Sequence, residues 1–248
     1  MKYSINSIVF VVLFLFSCQN GYDNKSLSVD SERYGGIFSY NESGTVKSIF
    51  PTSAYYQSEI QLISYIAEPL VKMNEDMSLS PCIAESWDVS PNGLEYLFNI
   101  REGIYFHDDP CFESSDGREL DAYDVAFSFT KACQDFENNA LSHYLRGIIK
   151  GANDYFEGRA DEVIGIEVIS KHEIKFVLEN PYSEFIPVIS NPALSIYPKE
   201  YFETYSGRLT THLVGTGPFK ISNYEDEKIL ILERNPGYWQ TDDEGTSL

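Results

Sequence analysis

His107, Asp108, Asp109 and Cys111 crowd one short stretch with the side-chain types that bind metal ions or activate water. Imidazole, carboxylate and thiolate are the usual zinc ligands, and a metal they hold lowers the pKa of its bound water for hydrolysis. Zinc sites normally draw paired ligands at set spacings from two segments. The other histidines, His143, His172 and His212, stand alone in sequence. The cluster therefore reads first as a polar loop leaving a strand; a secreted metal-dependent hydrolase using the His107 cluster is the alternative. The chain has no His-Glu-x-x-His pair, no Gly-x-Ser-x-Gly nucleophile turn and no Gly-x-x-x-x-Gly-Lys phosphate loop. Gly215-Thr216-Gly217 contains a Gly-x-Gly, but Pro218 and a strand pattern follow it. Phosphate binding needs a helix N-terminus behind the glycines, so a turn is expected there. No catalytic residue, cofactor or metal is assigned, and the chain reads as a non-enzyme.

A different chemistry marks the amino terminus. Met1-Lys2-Tyr3 is short and positively charged, and 8–16 is an unbroken apolar run ending at Ser17 and Cys18. The run is too short for a bilayer core of about 30 Å, which takes about 20 helical residues. It fits the apolar region of a secretion signal, residues 1–17. Leu15-Phe16-Ser17-Cys18 resembles the lipobox of bacterial lipoproteins, which places a diacylglyceryl anchor on the Cys18 thiol. Residues 18–32 are polar and read as a flexible, lipid-anchored tether. The expected location is extracytoplasmic, in the periplasm or at the cell surface. That compartment permits disulfides, and Cys82, Cys111 and Cys133 allow at most one intrachain bridge. Cys111 and Cys133 flank the helix expected to begin near Asp121 and are the candidate pair, leaving Cys82 free. Closing a loop of about 20 residues contributes roughly 3 kcal/mol in the chain-entropy model.

The elements that must position these groups follow from hydrophobic period. Of 248 residues 43% are hydrophobic, enough for a packed core. The chain carries 38 acidic residues against 18 basic ones, a field opposite to the one a nucleic-acid binder needs. Ser58 to Val71 has Ile60, Ile63, Ala67 and Leu70 at helical spacing, with Ser58 as N-cap and Pro69 as a stop or kink. Ile37 to Tyr40 reads as a strand. Glu95 to Ile100 alternates as a half-buried strand, and Asp121 with Asp124 has capping-box spacing before Val125, Phe129 and Ala132. Two hairpins are expected, 163–169 with 173–178 and 217–224 with 228–234. Strands and helices without regular βαβ alternation give a mixed α/β class.

Several landmarks recur in order: Tyr65-Ile66-Ala67-Glu68-Pro69-Leu70-Val71, then Leu79-Ser80-Pro81-Cys82-Ile83-Ala84-Glu85-Ser86-Trp87. After these come Tyr96-Leu97-Phe98-Asn99-Ile100-Arg101-Glu102-Gly103 and Asp121-Ala122-Tyr123-Asp124-Val125-Ala126-Phe127. Gly215-Thr216-Gly217-Pro218-Phe219 and Asn235-Pro236-Gly237-Tyr238-Trp239 close the set. Together they resemble the family 5 extracellular solute-binding proteins, the oligopeptide and dipeptide receptors of ABC importers. The chain departs from that pattern at Ile49-Phe50-Pro51, where the family often has Leu-Asp-Pro, and in the insertion 111–117.

The resemblance implies a fold like class II periplasmic binding proteins. Residues 33–67 and 198–248 would form part of lobe I and 68–197 the inserted lobe II, while lobe III has no counterpart before Leu248. Residues 19–248 by themselves would then supply one wall of a ligand cleft. It further implies capture of a short peptide, on a scaffold that also serves nickel chelates, sugars and haem. Expected partners are an ABC permease with its ATPase subunits and a membrane reached through the lipid alone, with no nucleic acid, and the protein is expected to be a monomer. Ala54, Tyr55, Tyr56 and Gln57 occupy the loop where the family places main-chain contacts to bound peptide. A surface lipoprotein using the same fold for adhesion or signalling is a further alternative.

Lipidation at Cys18 gives the first test. Radiolabelled palmitate should enter the wild-type protein and be absent from Cys18→Ala; equal labelling of the two would exclude the anchor.

Overall fold

The computed structural model describes residues 36–41, 46–136, 139, 141–225 and 228–242. The signal, Cys18 and the tether expected within residues 1–35 lie outside the described residues. The chain divides into two units, Met1–Asn41 and Glu42–Leu248. In the first, residues 36–41 form no strand, contrary to the expectation for 37–40, and Ile37 and Phe38 are exposed.

The second unit opens with a 3₁₀ turn, Pro51–Ser53, and helix α1, Gln57–Ile66. Strands β1 (Val71–Met73), β2 (Leu79–Pro81), β3 (Ala84–Val89) and β4 (Glu95–Ile100) follow. Helices α2 (Ala122–Cys133), α3 (Ser142–Leu145) and α4 (Ala152–Phe156) lead to β5 (Ile166–Ser170) and β6 (Glu173–Val177). Helices α5 (Phe185–Ile189) and α6 (Lys199–Thr204) precede the hairpin β7 (Phe219–Glu225) and β8 (Ile229–Arg234).

β3, β4, β6 and β5 form one antiparallel sheet in that spatial order. Its register lines up Trp87, Phe98, Ile174 and Val168 in one row and Val89, Tyr96, Phe176 and Ile166 in the next. Period-2 alternation puts both rows on one face, and α2 covers it, with Phe129 meeting Phe176 at a centroid distance of 4.8 Å. The opposite face is polar, carrying the Lys175–Glu167 ion pair and an Asn99–Ser86 hydrogen bond. β1–β2 and β7–β8 are separate two-stranded sheets.

α2 starts as its sequence requires. The Asp121 carboxylate accepts the Tyr123 N–H, and Asp124 reaches back to the Asp121 N–H, which satisfies donors the first turn leaves open. Arg118 then binds Asp124 through two nitrogens and Glu200 through two, tying the loop before α2 to α6.

Two expectations are corrected. α1 begins one residue before Ser58, with Tyr56 at the N-cap, and ends at Ile66 because Ala67 turns extended ahead of Pro69. The thiols of Cys82, Cys111 and Cys133 are all free, so Cys111 and Cys133 are not bridged. Cys111 belongs to the loop that Arg118 anchors at Asp124 in the first turn of α2, whereas Cys133 is the last residue of that helix. At 1.5 Å per residue the helix separates those two ends by on the order of 14 Å. A bridge needs Cα atoms within about 7 Å.

Phe98 is fully buried and lies 6.4 Å from the Trp87 ring and 5.7 Å from the Phe176 ring. Phe98→Ala should cost about 3–5 kcal/mol, seen as a lower denaturation midpoint at unchanged denaturant slope. A loss below about 1 kcal/mol would mean that this row is not the core.

Candidate functional site

The loop ahead of α1 holds the four residues singled out for ligand contact. Ala54 is buried and anchors it through its N–H to the Pro51 carbonyl, 3.2 Å. Tyr55 and Tyr56 are exposed by 77% and 45%, with ring centroids 5.5 Å apart edge to face, and Gln57 is exposed at the start of the helix. The Lys47 ammonium lies 5.4 Å from the Tyr56 ring centroid. Exposed aromatic rings on a fixed loop offer flat apolar faces and hydroxyls to a varied ligand.

The loop is held from beneath by Glu59. Its carboxylate, 1% exposed, accepts the N–H groups of Lys47 and Ser48 on Oε1 and those of Tyr55 and Tyr56 on Oε2, at 2.7 to 3.1 Å. The sequence suggested only a charge suited to the helix dipole. An acid one position before Ile60 and three before Leu62, in a buried helix turn, was the available signal that it needed partners.

A second buried carboxylate, Glu68, joins the landmarks that are far apart in sequence. Oε1 accepts the Tyr238 hydroxyl at 2.7 Å and faces the Cys82 thiol at 3.7 Å; Oε2 accepts the Thr216 hydroxyl and the Trp239 indole N–H, each at 2.8 Å. Burial raises the Glu68 pKa, and the hydrogen bonds from Trp239, Tyr238, Thr216 and Cys82 offset this only in part. Its own burial, and after that the Glu68 charge beside it, push the Cys82 thiol up and leave it a poor nucleophile. Gly215 and Gly217 run hard against α1: a Cβ on Gly215 would sit 2.2 Å from the Ile66 carbonyl oxygen, and Gly217 N–H donates to that oxygen. The turn expected at 215–217 is present, and close backbone approach is what requires its glycines.

His107 is buried rather than exposed in a loop. Its Nε2 lies 2.9 Å from the Gly217 carbonyl oxygen and its own N–H donates to the Gly215 carbonyl. A carbonyl can only accept, so Nε2 carries the proton, and Nδ1 is buried with no partner. Burial drives the His107 pKa down to about 4, against a smaller upward pull from the Gly217 bond. Asp109 points elsewhere, accepting Tyr205 Oη at 2.9 Å, His212 Nε2 at 2.8 Å and the Cys111 N–H at 2.8 Å. Burial opposes its charge, but those bonds prevail and hold it at about 2. Burial, and then Asp109, which stands between Cys111 and His212, push the Cys111 thiol up, the reverse of what an activated cysteine needs. The cluster that suggested a hydrolase is thus divided between two structural jobs. Among the described residues no three His, Cys, Asp or Glu side chains gather as a metal site.

Two open hollows, of about 500 and 440 Å³, are lined by polar groups, the larger by Glu85, Asn99, Arg101, Glu102, His172 and Glu173. Neither includes a residue of loop 54–57. No helix among the described residues is long and apolar enough to cross a membrane.

Comparison with known proteins fits this geometry. The family model described as bacterial extracellular solute-binding proteins, family 5 Middle, matches residues 78–246. A dipeptide-binding protein of Escherichia coli (strain K12) is 31% identical over 196 residues, covering 76% of this chain and 35% of that protein. A periplasmic oligopeptide-binding protein of Borrelia burgdorferi superposes with a TM-score of 0.72 at 21% identity, over 80% of this chain and 39% of the other. An ABC transporter-associated periplasmic binding protein of Helicobacter pylori, solved with a bound peptide, gives 0.64 at 26% identity, over 78% and 38%. The chain spans well under half the length of these relatives. The architecture they share is the mixed α/β fold of class II periplasmic binding proteins.

The His107 imidazole predicts a pH dependence. Its folded pKa lies below the unfolded value of about 6.5, so the unfolded chain binds more protons and acid favours unfolding. The stability His107 contributes is complete above about pH 6.5 and is lost as the pH falls towards about 4. Glu68, raised, has the opposite sign: its contribution is lost as pH rises through its folded pKa. Between pH 7 and 5 the wild type should lose about 2 kcal/mol more than His107→Gln, measured by urea unfolding at both pH values. Equal losses would show that His107 is not the titrating group.

Proposed function

The chain belongs to the bacterial extracellular solute-binding proteins, family 5, and from that membership we propose that it captures short peptides outside the cytoplasm for an ABC importer. The family binds and delivers solutes rather than transforming them, and the division of the His107 cluster into two structural roles accords with a binding role. The observation that carries the peptide reading is the pair of exposed tyrosines on a loop fixed by Glu59. Relatives named for dipeptides, and one solved with a peptide, support the same ligand class.

On this reading Ala54, Tyr55, Tyr56 and Gln57 line one wall of the site. Closure of a facing wall traps the ligand, a shift of population towards the closed state. Residues 33–67 and 198–248 are assigned to lobe I and 68–197 to lobe II. A lipid on Cys18 keeps the receptor at the membrane, where the permease and its ATPase subunits receive the solute.

Protein isolated from its own cells should release peptides of about two to five residues when denatured, identified by mass spectrometry, since a closed site retains its ligand through purification. Release of haem, a sugar or a nickel chelate in their place would overturn the peptide assignment.

A further inference from the structure

Glu59 fixes more than the position of the loop. A trans peptide group is planar, with its C=O and N–H pointing in opposite directions. There is no cis peptide bond among the described residues. The N–H groups of Tyr55 and Tyr56 both point at Glu59 Oε2, at 2.9 and 3.1 Å. The carbonyls that share those two peptide planes belong to Ala54 and Tyr55, and they must therefore point away from the buried carboxylate. The remaining polar backbone groups of the loop are committed inside it: the Ala54 N–H to Pro51 and the Tyr56 carbonyl to the Ile60 N–H. Ala54 is buried, so the group this backbone presents outwards is the carbonyl of the 77% exposed Tyr55, an acceptor beside two tyrosine rings.

We propose that Glu59 is a positioning residue for ligand recognition, turning the Tyr55 carbonyl oxygen outwards to accept an N–H group of a bound peptide. This rests on the peptide reading of loop 54–57 and adds to it the polarity of the contact. A ligand edge rich in N–H donors is selected, and one that offers only carbonyl or carboxylate oxygen is repelled. Glu59 itself never touches the ligand. Its anionic form is suited to the task because both oxygens only accept, so all four inward N–H groups are satisfied at once. An amide in its place keeps the shape but presents an NH₂ group to two donors, and the loop loses its reason to keep that orientation.

The test compares the full-length protein with its Glu59→Gln variant by titration calorimetry, using trialanine and trialanine N-methylated at each position in turn. Wild type should bind one N-methylated form about tenfold more weakly than trialanine, the loss of one hydrogen bond. Glu59→Gln should lose that discrimination. A variant that merely loosened the structure would weaken all the ligands alike and keep the ratio, and a kept ratio overturns the proposal. Hydrogen exchange on ligand-free wild type gives a reading that does not depend on the variant folding: the Tyr55 and Tyr56 amides should be protected, and fast exchange of both would overturn the inward orientation. If wild type binds none of the peptides, the peptide reading itself falls and this inference with it, an outcome distinct from a kept ratio.

Discussion

A carboxylate in a protein interior is costly unless its lone pairs are met, and Glu68 is met by no ion pair among the described residues. It is met by a phenol, an indole, a secondary hydroxyl and a thiol, contributed by Tyr238, Trp239, Thr216 and Cys82. Those four residues come from three separate stretches of chain. Removing any of the strong donors leaves buried oxygen unsatisfied, so the segments at 68, 82, 216 and 238–239 are obliged to meet in one place. The backbone agrees: the Glu68 carbonyl accepts the Ile196 N–H, and the Ser195 hydroxyl donates to the Ala67 carbonyl. Chain from 82, 195–196, 216 and 238–239 thus returns to the end of α1 at this point.

His107 and Glu59 extend the same logic to either side. His107 closes the 215–217 turn from one flank through two bonds to glycine carbonyls, and Glu59 holds the loop at the other end of α1. A ten-residue helix thus has a buried acid in its first turn, which gathers backbone donors from the preceding chain, and another two residues beyond its last, which gathers donors from distant chain. Ile63 and Ile66, fully buried between them, supply the apolar area, while the acids set which segments lie where. The candidate ligand loop is the solvent-facing edge of this arrangement.

Much of the fold could be read from local pattern, because its cause is local. β4 alternates cleanly at Tyr96, Phe98 and Ile100, and α2 carries both its capping pair and its apolar stripe. β1 and β2 have three residues each, with Pro69 shortly before β1 and Pro81 within β2, too little for a period to register. α3 to α6 have four to six residues, shorter than two turns, and are fixed by tertiary contacts such as Arg118 with Glu200. The site was legible in part. The order of landmarks points to loop 54–57 as the candidate, but no local pattern tells which backbone donors the Glu59 carboxylate reaches. His107 reads from its acidic neighbours as part of a polar loop, with a metal ligand as the alternative, and neither reading foresees its burial. Its actual partner, Gly217, is 110 positions away, and no local window contains that relation.

The Glu68 junction has a consequence for the order in which the chain is made. The indole that completes it lies 171 residues downstream. At a synthesis rate of about 5–20 residues per second, Glu68 waits roughly 10–30 seconds for Trp239 to emerge. Through that interval the Glu68 carboxylate lacks the Tyr238 and Trp239 donors that its burial requires. The nascent polypeptide is therefore kept from settling early, and remains open to handling by chaperones until nearly all of this stretch has been translated. Contacts this distant in sequence also close slowly once available.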